Sequence, residues 1–398
     1  MSTSNAARGI PRALTVAHLV QPVEGGVARV VTDLVRAQTE AGLRAVVLCP
    51  SGGPLTRAAE AAGAETRLWL AGRKPGADLP WEVFCAARLL RRLRPDVVHL
   101  HSAKAGLAGR LAVRGRVPTV HQPHAWSFQA VGGPTAAWAR RWERHAARWT
   151  ARLLCVSEAE RETGLRAGID GRYAVVPNGI ETDRYPHAGG VARRQARAAL
   201  SAVHALPQRV PLVVCVGRLT RQKGQDLLLR AWPEVAARVP GARLALIGDG
   251  PERDALRRAA GPGVLVAGHS DDVLPWYVAA DVVVQPSRWE GMALAPLEAM
   301  AVGRPVVVTD VGGARECLPD GHQARCLVPP EDPGALAGAL AALLGDAHLR
   351  RVLGDEAAAH VRAAHDVRRT AAACVRLYRE LTTVVPPRAP EAKEYTRR

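Results

Sequence analysis

The chain has 398 residues, which suits two domains, and its 48% hydrophobic and 23% charged residues exclude a disordered protein. Its 54 basic and 37 acidic residues give a net charge of +17, which favours phosphate-bearing ligands, nucleic acid or an anionic membrane surface as partners. The seven cysteines form no CxxC pair, and no long apolar run lacks charge, so we expect no disulfide scaffold, zinc ribbon or membrane-spanning helix.

The first half of the chain alternates short apolar runs with longer helical stretches, a pattern typical of βαβ units and parallel sheets. Residues 1–12 do not resemble a secretory signal, and we expect them to be disordered. Residues 13–186 predict a Rossmann-like domain with helices at 28–41 and 81–93. Its predicted strands are 13–20, 44–49, 66–70, 96–101, 118–122, 153–157 and 173–177.

A second series of the same kind fills the other half. Residues 187–210 predict a linker and lead-in helix, and residues 211–372 predict a second Rossmann-like domain. Its predicted strands are 212–217, 242–248, 264–268, 281–287, 305–310 and 324–329. Residues 373–385 predict a helix that returns to the first domain, and the Pro-rich tail 386–398 is expected to be disordered. The fold class is therefore α/β, with two Rossmann-like domains facing each other across a cleft.

Two basic residues follow the first strand of the second domain. Arg218 and Lys223 lie on the loop after strand 212–217, and an open α/β sheet binds ligands just beyond such strand ends. A guanidinium fork and a point-charge ammonium at one strand end suit a diphosphate. Taken alone, two solvated residues of an arginine-rich chain explain the pattern equally well.

Two carboxylates frame another ligand-facing loop. Pro296 suits the first turn of a helix, which places Glu290 on the preceding loop and Glu298 just inside the helix. The amides of residues 291–293 then lie near a helix N-terminus, where a phosphate is favoured. Because carboxylates repel phosphate, the two glutamates suit sugar hydroxyls, with an ordinary first-turn glutamate as the alternative for Glu298.

The order and spacing of these segments resemble the family 4 retaining glycosyltransferases, two-domain enzymes of GT-B fold that use nucleotide-sugar donors. The most specific part is E-x7-E, from Glu290 to Glu298, with GR-x4-KG ahead of it and P-VV-x3-VGG-x2-E behind it. The last motif contains Gly312 and Gly313, which allow close approach of backbone to a ligand, although an ordinary turn uses such a pair as well. The likeness runs from GGVARVV near the start to the last helix.

The resemblance implies a role for each matching residue. Arg218 and Lys223 would hold the donor diphosphate, Glu298 the ribose hydroxyls and Glu290 the transferred sugar. The other implied donor-binding residues of this domain are Gly291, Met292, Ala293 and Leu294 on the loop and helix start, and His269 near the base. The implied catalytic residues are His124, Arg218, Lys223 and Glu290.

The first domain should hold the acceptor. Gly25 and Gly26 open a helix after the first strand and match the family's glycine loop, which faces the donor phosphate; a plain turn is the alternative. His124 matches the position of an active-site histidine near the transferred sugar. Together with His101 and Lys104, at the end of the neighbouring strand, it would contact the acceptor.

Paired histidines raise the question of a metal ion. His99 and His101 share one face of a strand, and His121 and His124 follow closely, but nothing adjacent supplies a carboxylate or a cysteine. We therefore expect structural rings at His99 and His121. No metal and no cofactor is expected, since the nucleotide sugar is a substrate.

Two basic stretches are compatible with binding to an anionic membrane surface. Residues 138–152 place three tryptophans at spacings of four and seven among five arginines, as an interfacial helix does, and residues 86–94 are a second such stretch. A core-facing tryptophan stripe explains the first stretch as well. Nucleic acid is not expected as a partner, because the chain has no P-loop and few aromatic residues for stacking.

The expected activity is retaining transfer of a sugar to a hydroxyl of a lipid-linked or cell-surface polysaccharide or glycolipid intermediate. UDP is the commonest donor nucleotide of such relatives, and GDP-mannose is the main alternative. The resemblance implies front-face attack, in which the leaving diphosphate takes the acceptor proton. A small natural-product acceptor, an epimerase or phosphorylase of the same fold, and a basic nucleic-acid-binding protein are the other readings. We expect a cytoplasmic location, peripheral on the inner face of the plasma membrane.

Overall fold

The computed structural model describes residues 13–50, 53–72 and 75–383. The expected disorder of residues 1–12 and 386–398 lies outside the described residues. Within the described ranges the chain forms two all-parallel sheets with helices between successive strands. This is the two-domain α/β architecture that the sequence predicts.

The first sheet contains β1 (Thr15–Val20), β2 (Arg44–Cys49), β3 (Glu65–Leu68), β4 (Val97–His101), β5 (Thr119–Gln122), β6 (Arg152–Cys155) and β7 (Tyr173–Val175). Its strand order is β3-β2-β1-β4-β5-β6-β7. Every residue of the central strands β1 and β4 is buried, because helices cover both faces of the sheet. Continuous apolar runs in the sequence therefore predict these strands well.

The helices of the first domain are α1 (Gly25–Glu40), α2 (Pro54–Ala61), α3 (Leu79–Leu93), α4 (Ser102–Val113), α5 (Gly133–Ala146) and α6 (Glu158–Arg166). The predicted helices 28–41 and 81–93 correspond to α1 and α3. The segment 138–152 is not one helix: α5 ends at Ala146, a 3-10 turn covers Ala147–Trp149, and β6 begins at Arg152. The tryptophan spacing therefore does not define one helical face.

The second domain opens with α7 (Gly190–His204), which packs on the helix Leu274–Ala279 of the same domain. Its strands are β8 (Leu212–Val216), β9 (Arg243–Ile247), β10 (Val264–Gly268), β11 (Val282–Gln285), β12 (Val306–Thr309) and β13 (Leu327–Val328), in the order β10-β9-β8-β11-β12-β13. The other helices are α8 (Gln225–Arg238), α9 (Arg253–Ala259), α10 (Leu274–Ala279), α11 (Leu294–Ala301), α12 (Ala314–Cys317), α13 (Gln323–Cys326), α14 (Pro333–Gly345) and α15 (Ala347–Ala364).

The predicted strand 324–329 is wrong in its first half. Residues Gln323–Cys326 form the short helix α13, and only Leu327 and Val328 extend the sheet. β13 is an edge strand that pairs with β12 alone, through two residue pairs. Cys326 nevertheless reaches the core from the helix, which is why its apolar neighbourhood looks like a strand in the sequence.

The last helix, α16 (Val367–Thr383), packs on α1 and β4 of the first domain. It begins six residues before the boundary expected at 373. The chain crosses between the domains twice, and the two crossings lie side by side as a parallel bridge between Ile180 and Asp366. A Cβ built on Gly179 would lie 2.7 Å from the backbone nitrogen of Val367, so the crossings pack backbone against backbone.

All seven cysteines lie in the described ranges and are free thiols, six of them buried. Among the described residues, no helix combines the length and the apolar character that crossing a bilayer requires.

Candidate active site

Each sheet reverses its strand order at one point, between β1 and β4 in the first domain and between β8 and β11 in the second. Ligands of open α/β sheets bind outside the carboxyl ends of the strands at such points. The last residue of β4 is His101, and the segments that follow the other three strands carry Gly25, at the start of α1, Arg218 and Glu290. The fold therefore directs most of the predicted site to two facing edges.

Gly25 and Arg218 meet across the cleft. Gly25 has a φ of +77°, which favours glycine, and a Cβ built on it would lie 3.5 Å from Cδ of Arg218. The glycine loop of the first domain thus packs against a predicted diphosphate-binding side chain of the second. Gly26 is less constrained, since a Cβ built there would have no described atom within 4 Å.

Lys223 and Glu290 form a partly buried ion pair. Nζ of Lys223 lies 2.5 Å from Oε1 of Glu290, and the Ser287 hydroxyl donates to the same oxygen at 2.7 Å. Gly224 lets the lysine loop reach this position: its φ is +68°, and a Cβ on it would lie 2.0 Å from the carbonyl oxygen of Pro286. The KG pair therefore brings a cation and a carboxylate together at adjacent strand ends.

The two glycines after β12 serve this loop rather than open space. A Cβ on Gly312 would lie 2.0 Å from the carbonyl oxygen of Glu290, and one on Gly313 would lie 2.8 Å from that of Gly291. The Gly313 amide donates to the Gly291 carbonyl at 2.6 Å. The close approach that we expected toward a ligand is thus made, in this structure, to the protein's own loop.

The same loop is held by the first domain. The Ser157 hydroxyl donates to the Gly291 carbonyl at 3.3 Å, and the Asn178 side-chain amide donates to the Met292 carbonyl at 2.8 Å. The carboxylate of Glu316 accepts the backbone amides of Glu158 at 2.7 Å and of Ala159 at 2.9 Å, at the N-terminus of α6. Sequence reasoning missed Ser157 and Asn178. Glu316 closes the VGG-x2-E motif, which was the one available signal for it.

Glu298 is buried inside α11, as Pro296 at the third position of that helix predicts. The Tyr277 hydroxyl donates to its Oε2 at 2.8 Å. Nη2 of Arg29, on α1 of the first domain, lies 3.9 Å from its Oε1 and donates to the Tyr185 hydroxyl at 2.6 Å. Glu298 thus lies where the two domains and the linker meet, a contact that no sequence motif indicated.

His124 lies on a strained loop after β5. His124 and Ala125 have φ values of +53° and +80°, a left-handed region that costs non-glycine residues about 1–2 kcal/mol each. Glu160 holds this turn, because its carboxylate accepts the amides of Ala125 at 2.6 Å and of Val156 at 2.8 Å. Burial raises the pKa of Glu160 to about 7, although both amides act to lower it. Nothing in the sequence pattern pointed to Glu160.

Behind His124, hydrogen bonds link three imidazole rings in series. Nε2 of His124 lies 3.2 Å from Nδ1 of His101, and Nε2 of His101 lies 3.0 Å from Nδ1 of His18. Nε2 of His18 lies 2.8 Å from Oε1 of Gln38, which can only accept. The direction is therefore fixed: each ring carries its proton on Nε2, and Nδ1 of His124 is left as an acceptor.

Burial keeps these rings neutral. It lowers the pKa of His18 to about 4 and that of His124 to about 3, and it lowers those of His99, His101 and His121 well below the usual value. His18, His99 and His101 offer nitrogens within 4.8 Å of one another, which is also the spacing of a metal site. Both nitrogens of His18 and of His101 are already used in the hydrogen bonds above, so the series accounts for the cluster without an ion.

Two residues that the resemblance places at the acceptor are buried in this structure. Lys104 is 4% exposed, with Nζ 2.5 Å from Oε2 of the equally buried Glu82, so it joins α4 to α3 beneath the surface. His101 is fully buried between His18 and His124 and reaches the cleft only through His124. The sequence places both residues at a strand end but does not reveal which neighbours cover them.

The remaining predicted residues are placed as follows. The side chains of Met292 and Leu294 lie in the core of the second domain, so only their backbone is available to a donor. Ala293 precedes α11 as its N-cap residue. His269 lies exposed on the loop after β10, two strands from β8, with Nε2 3.2 Å from Oδ1 of Asp271.

Two Rossmann-like domains that face each other across a basic, glycine-lined cleft have the architecture of the GT-B fold. Residues 24–184 match the family model described as Glycosyltransferase Family 4, and residues 210–346 match that described as Glycosyl transferases group 1. The chain belongs to this glycosyltransferase family.

Named relatives agree with the family assignment. The D-inositol 3-phosphate glycosyltransferase of Corynebacterium jeikeium (strain K411) is 32% identical over 72% of this chain and 72% of its own length. The Escherichia coli UDP-Gal:alpha-D-GlcNAc-diphosphoundecaprenol alpha-1,3-galactosyltransferase is 28% identical over 65% and 69%. The alpha-D-kanosaminyltransferase of Streptomyces kanamyceticus is 29% identical over 73% and 80%.

A solved structure agrees on the fold. Anabaena Alr3699/HepE, crystallised in complex with UDP-glucose, superposes with a TM-score of 0.79 at 22% identity, covering 92% of this chain and all of that one.

Proposed function

We propose that this glycosyltransferase moves a sugar from a UDP-linked donor to a hydroxyl of a lipid-linked or cell-surface glycan intermediate, with retention of the anomeric configuration. The observation that carries the proposal is the convergence of Arg218, Lys223 and Glu290 on one cleft beside Gly25. Two cations at the strand ends suit a departing diphosphate, and a neighbouring carboxylate suits sugar hydroxyls. The UDP-glucose complex of the Anabaena structure supports the choice of nucleotide.

In the proposed reaction, the bond between the anomeric carbon and the diphosphate oxygen breaks, and a bond to the acceptor oxygen forms on the same face. The acceptor proton passes to the departing diphosphate. Arg218 and Lys223 stabilise the charge that develops on that group, and His124 and Glu290 hold the sugar. The chain's own part is positioning and electrostatics, with no protein nucleophile.

The donor assignment is tested by thermal unfolding with a panel of nucleoside diphosphates and their sugars. A ligand that binds only the folded state raises its stability, so one UDP-sugar should raise the midpoint of the wild type and not that of Glu298→Ala. Glu234→Ala, on the exposed side of α8, is the matched control and should respond like the wild type. A flat response of a folded protein to every nucleotide would refute the proposal. Proton NMR of the product then reports the anomeric configuration.

We also propose that the reaction needs no metal ion. Arg218 and Lys223 supply the positive charge that a divalent ion gives a diphosphate in other enzymes. Turnover should therefore be unchanged, within about twofold, when EDTA is added. A loss of tenfold or more that magnesium restores would overturn this part of the proposal.

The acceptor class is supported by an exposed apolar surface on the first domain, as well as by the diphosphoundecaprenol substrate named for the E. coli relative. Trp81 and Phe84 on α3 stack at 5.4 Å between ring centroids, and Leu68 and Leu70 beside β3 are about half exposed. Exposed arginines follow on α3, within the basic stretch 86–94. Aromatic side chains beside arginines suit an anionic membrane.

Of the three tryptophans in the other stretch, 138–152, only Trp138 is exposed, at 64%, because Trp142 and Trp149 pack on each other and on arginines. Phosphatidylglycerol vesicles imitate the anionic inner face of the plasma membrane, where we propose that the protein lies. We therefore expect the variant Trp81→Ala/Phe84→Ala to lose flotation with these vesicles and Trp138→Ala to retain it. Equal flotation of all variants, or none with the wild type, would favour a soluble acceptor, such as the aminoglycoside-type product named for the Streptomyces relative.

A further inference from the structure

A second cavity lies on the side of the second domain away from the cleft. It has a volume of about 340 Å³, within the range of small-molecule sites, and it opens beside the linker that enters the domain. Asp281 and Pro305, which line it, directly precede β11 and β12, whereas the cleft lies beyond the carboxyl ends of these strands. The cavity is therefore separated from the proposed active site by the length of the sheet.

Four arginines line this cavity, namely Arg193, Arg304, Arg350 and Arg351. Two carboxylates line it as well, so the arginines outnumber their counter-charges. Asp355 is half exposed, with Oδ2 3.5 Å from Nη1 of Arg351 and Oδ1 3.0 Å from Nε2 of His187. Arg193 pairs with the buried carboxylate of Asp281, and Nε of Arg350 lies 3.5 Å from the same carboxylate. Behind the wall, Nη2 of Arg197 lies 2.8 Å from its other oxygen. One carboxylate thus serves three guanidinium groups.

Arg304 adds a further positive charge, and its described hydrogen bonds go to backbone carbonyls and not to a carboxylate. It donates to the carbonyl oxygens of Tyr277, Val278 and Ala188, at 3.0–3.3 Å. Burial and then the neighbouring Arg193 lower the pKa of Arg304 to about 10, and Asp281 opposes this only in part. The wall of the cavity therefore carries excess positive charge, part of it on a largely buried guanidinium group. A bound anion would offset this charge.

We propose that this cavity binds a phosphate group, either as free inorganic phosphate or carried by a small molecule such as a sugar phosphate. Arginine forks match the oxygens of phosphate, and Arg193 and Arg351 line the cavity with side chains that are partly exposed. A partner protein is not required, because the site is a concave pocket within one domain. The binding stands independently of the proposed reaction.

The position of the cavity gives such a ligand a route to the domain arrangement. Its wall includes the linker residues His187–Gly190, and Ala188 is fixed at both backbone groups: its amide donates to Val302 at 3.1 Å, and its carbonyl accepts from Arg304 at 3.0 Å. An anion on Arg304 and Arg193 would stiffen the segment through which the two domains are joined. Its effect on turnover, unlike its binding, rests on the proposed function.

The test measures thermal unfolding with 10 mM inorganic phosphate or glucose 6-phosphate against sodium chloride of equal ionic strength. Lys223→Ala is the background throughout, because phosphate in the cleft would otherwise contribute. We expect a rise of about 2 °C in that background. The rise should disappear in Arg193→Gln/Arg351→Gln and persist in Arg258→Gln, which removes one exposed arginine of α9. A larger rise with glucose 6-phosphate would identify a phosphorylated small molecule as the better ligand.

Three results would overturn the proposal: no rise in the Lys223→Ala background, a rise unchanged by Arg193→Gln/Arg351→Gln, or an equal loss with Arg258→Gln. If the double variant does not fold, Arg351→Glu provides the same test, since its exposed side chain touches none of the buried pairs. No donor or acceptor is present, so a negative result leaves the proposed reaction unaffected.

Discussion

Lys223 and Glu290 form an ion pair in the cleft, and a bound donor would separate the two side chains. A diphosphate attracts the ammonium group and repels the carboxylate, which is then free to accept sugar hydroxyls. The ion pair at 2.5 Å thus holds in place one side chain for the diphosphate and one for the sugar, and their charges offset each other.

Lys223→Ala should lower turnover by about 10²-fold or more, because it removes a preorganised charge next to the departing diphosphate. The measurement is the initial rate of nucleoside diphosphate release in the presence of acceptor. Arg221→Ala, in the same 3-10 turn but exposed, is the matched control and should stay within about threefold of the wild type. Near wild-type turnover of Lys223→Ala would remove this residue from the mechanism.

Alanine substitutions at the neighbouring residues Gly25 and Gly26 should have different effects. Gly25→Ala places a Cβ at φ +77° against Arg218, so we expect a loss of about 1–2 kcal/mol in the free energy of unfolding and a tenfold or greater fall in kcat/KM. Gly26→Ala meets no described atom within 4 Å and should leave both nearly unchanged. Equal effects of the two substitutions would show that Arg218 does not depend on the glycine loop.

At the scale of elements, β1, β4 and the loop after β5 together carry neutral histidines into the core. Since burial lowers their folded-state pKa values below 6.5, the unfolded chain binds protons first as the pH falls. Their stabilisation is complete above pH 6.5 and is lost as the pH falls from 6.5 to about 4 for His18 and to about 3 for His124. Glu160 and Asp33, whose pKa values are raised to about 7 and 6 by burial, act in the opposite direction but are fewer.

The free energy of unfolding should therefore fall between pH 7 and pH 5, which urea denaturation at the two values measures. His18→Gln should reduce this difference by about 2 kcal/mol, because the shift of His18 to about 4 corresponds to that cost at pH 5. The exposed ring of His269 offers the control: His269→Gln should leave the difference unchanged. Stability that is independent of pH in the wild type would contradict the neutral, buried series.

α6 depends on the other domain for its N-terminus. Glu316→Ala removes the carboxylate that accepts the amides of Glu158 and Ala159, and it should cost about 1 kcal/mol in the free energy of unfolding. Glu162→Ala, exposed on the same helix, should cost less than about 0.5 kcal/mol. If the two variants were equally stable, the contact would not hold the domains together.

The elements themselves show what a sequence can reveal. Buried parallel strands have a distinctive apolar pattern, and most predicted strands lie within two residues of the observed ones. β13 was overextended because an edge strand of two residues leaves little pattern, and its flanking helix α13 buries Cys326 all the same. The positions of Arg218, Lys223 and Glu290 just beyond neighbouring strand ends were likewise predictable, whereas their roles in binding and catalysis stay predictions.

At the scale of the whole molecule, the residues that escaped prediction are those defined by contacts between distant segments. Arg29 reaches Glu298 only because α1 and α11 meet across the domains, and Glu160 acts only because α6 returns under the turn at Ala125. The burial of Lys104 escaped prediction for the same reason, since its partner Glu82 lies on another helix. Local periodicity carries no information about such pairings.

The return of α16 to the first domain bears on how the protein is made. Tyr378 completes the core beneath β4, and its hydroxyl accepts from Nε2 of Gln38 and lies 2.8 Å from Nδ1 of His99. The first sheet therefore lacks part of its cover until this segment leaves the ribosome. Residues 187–366 are translated in between, which takes on the order of ten seconds or more. During that interval the nascent first domain exposes the apolar surface that α16 later covers, and it is then that chaperones have the most to bind.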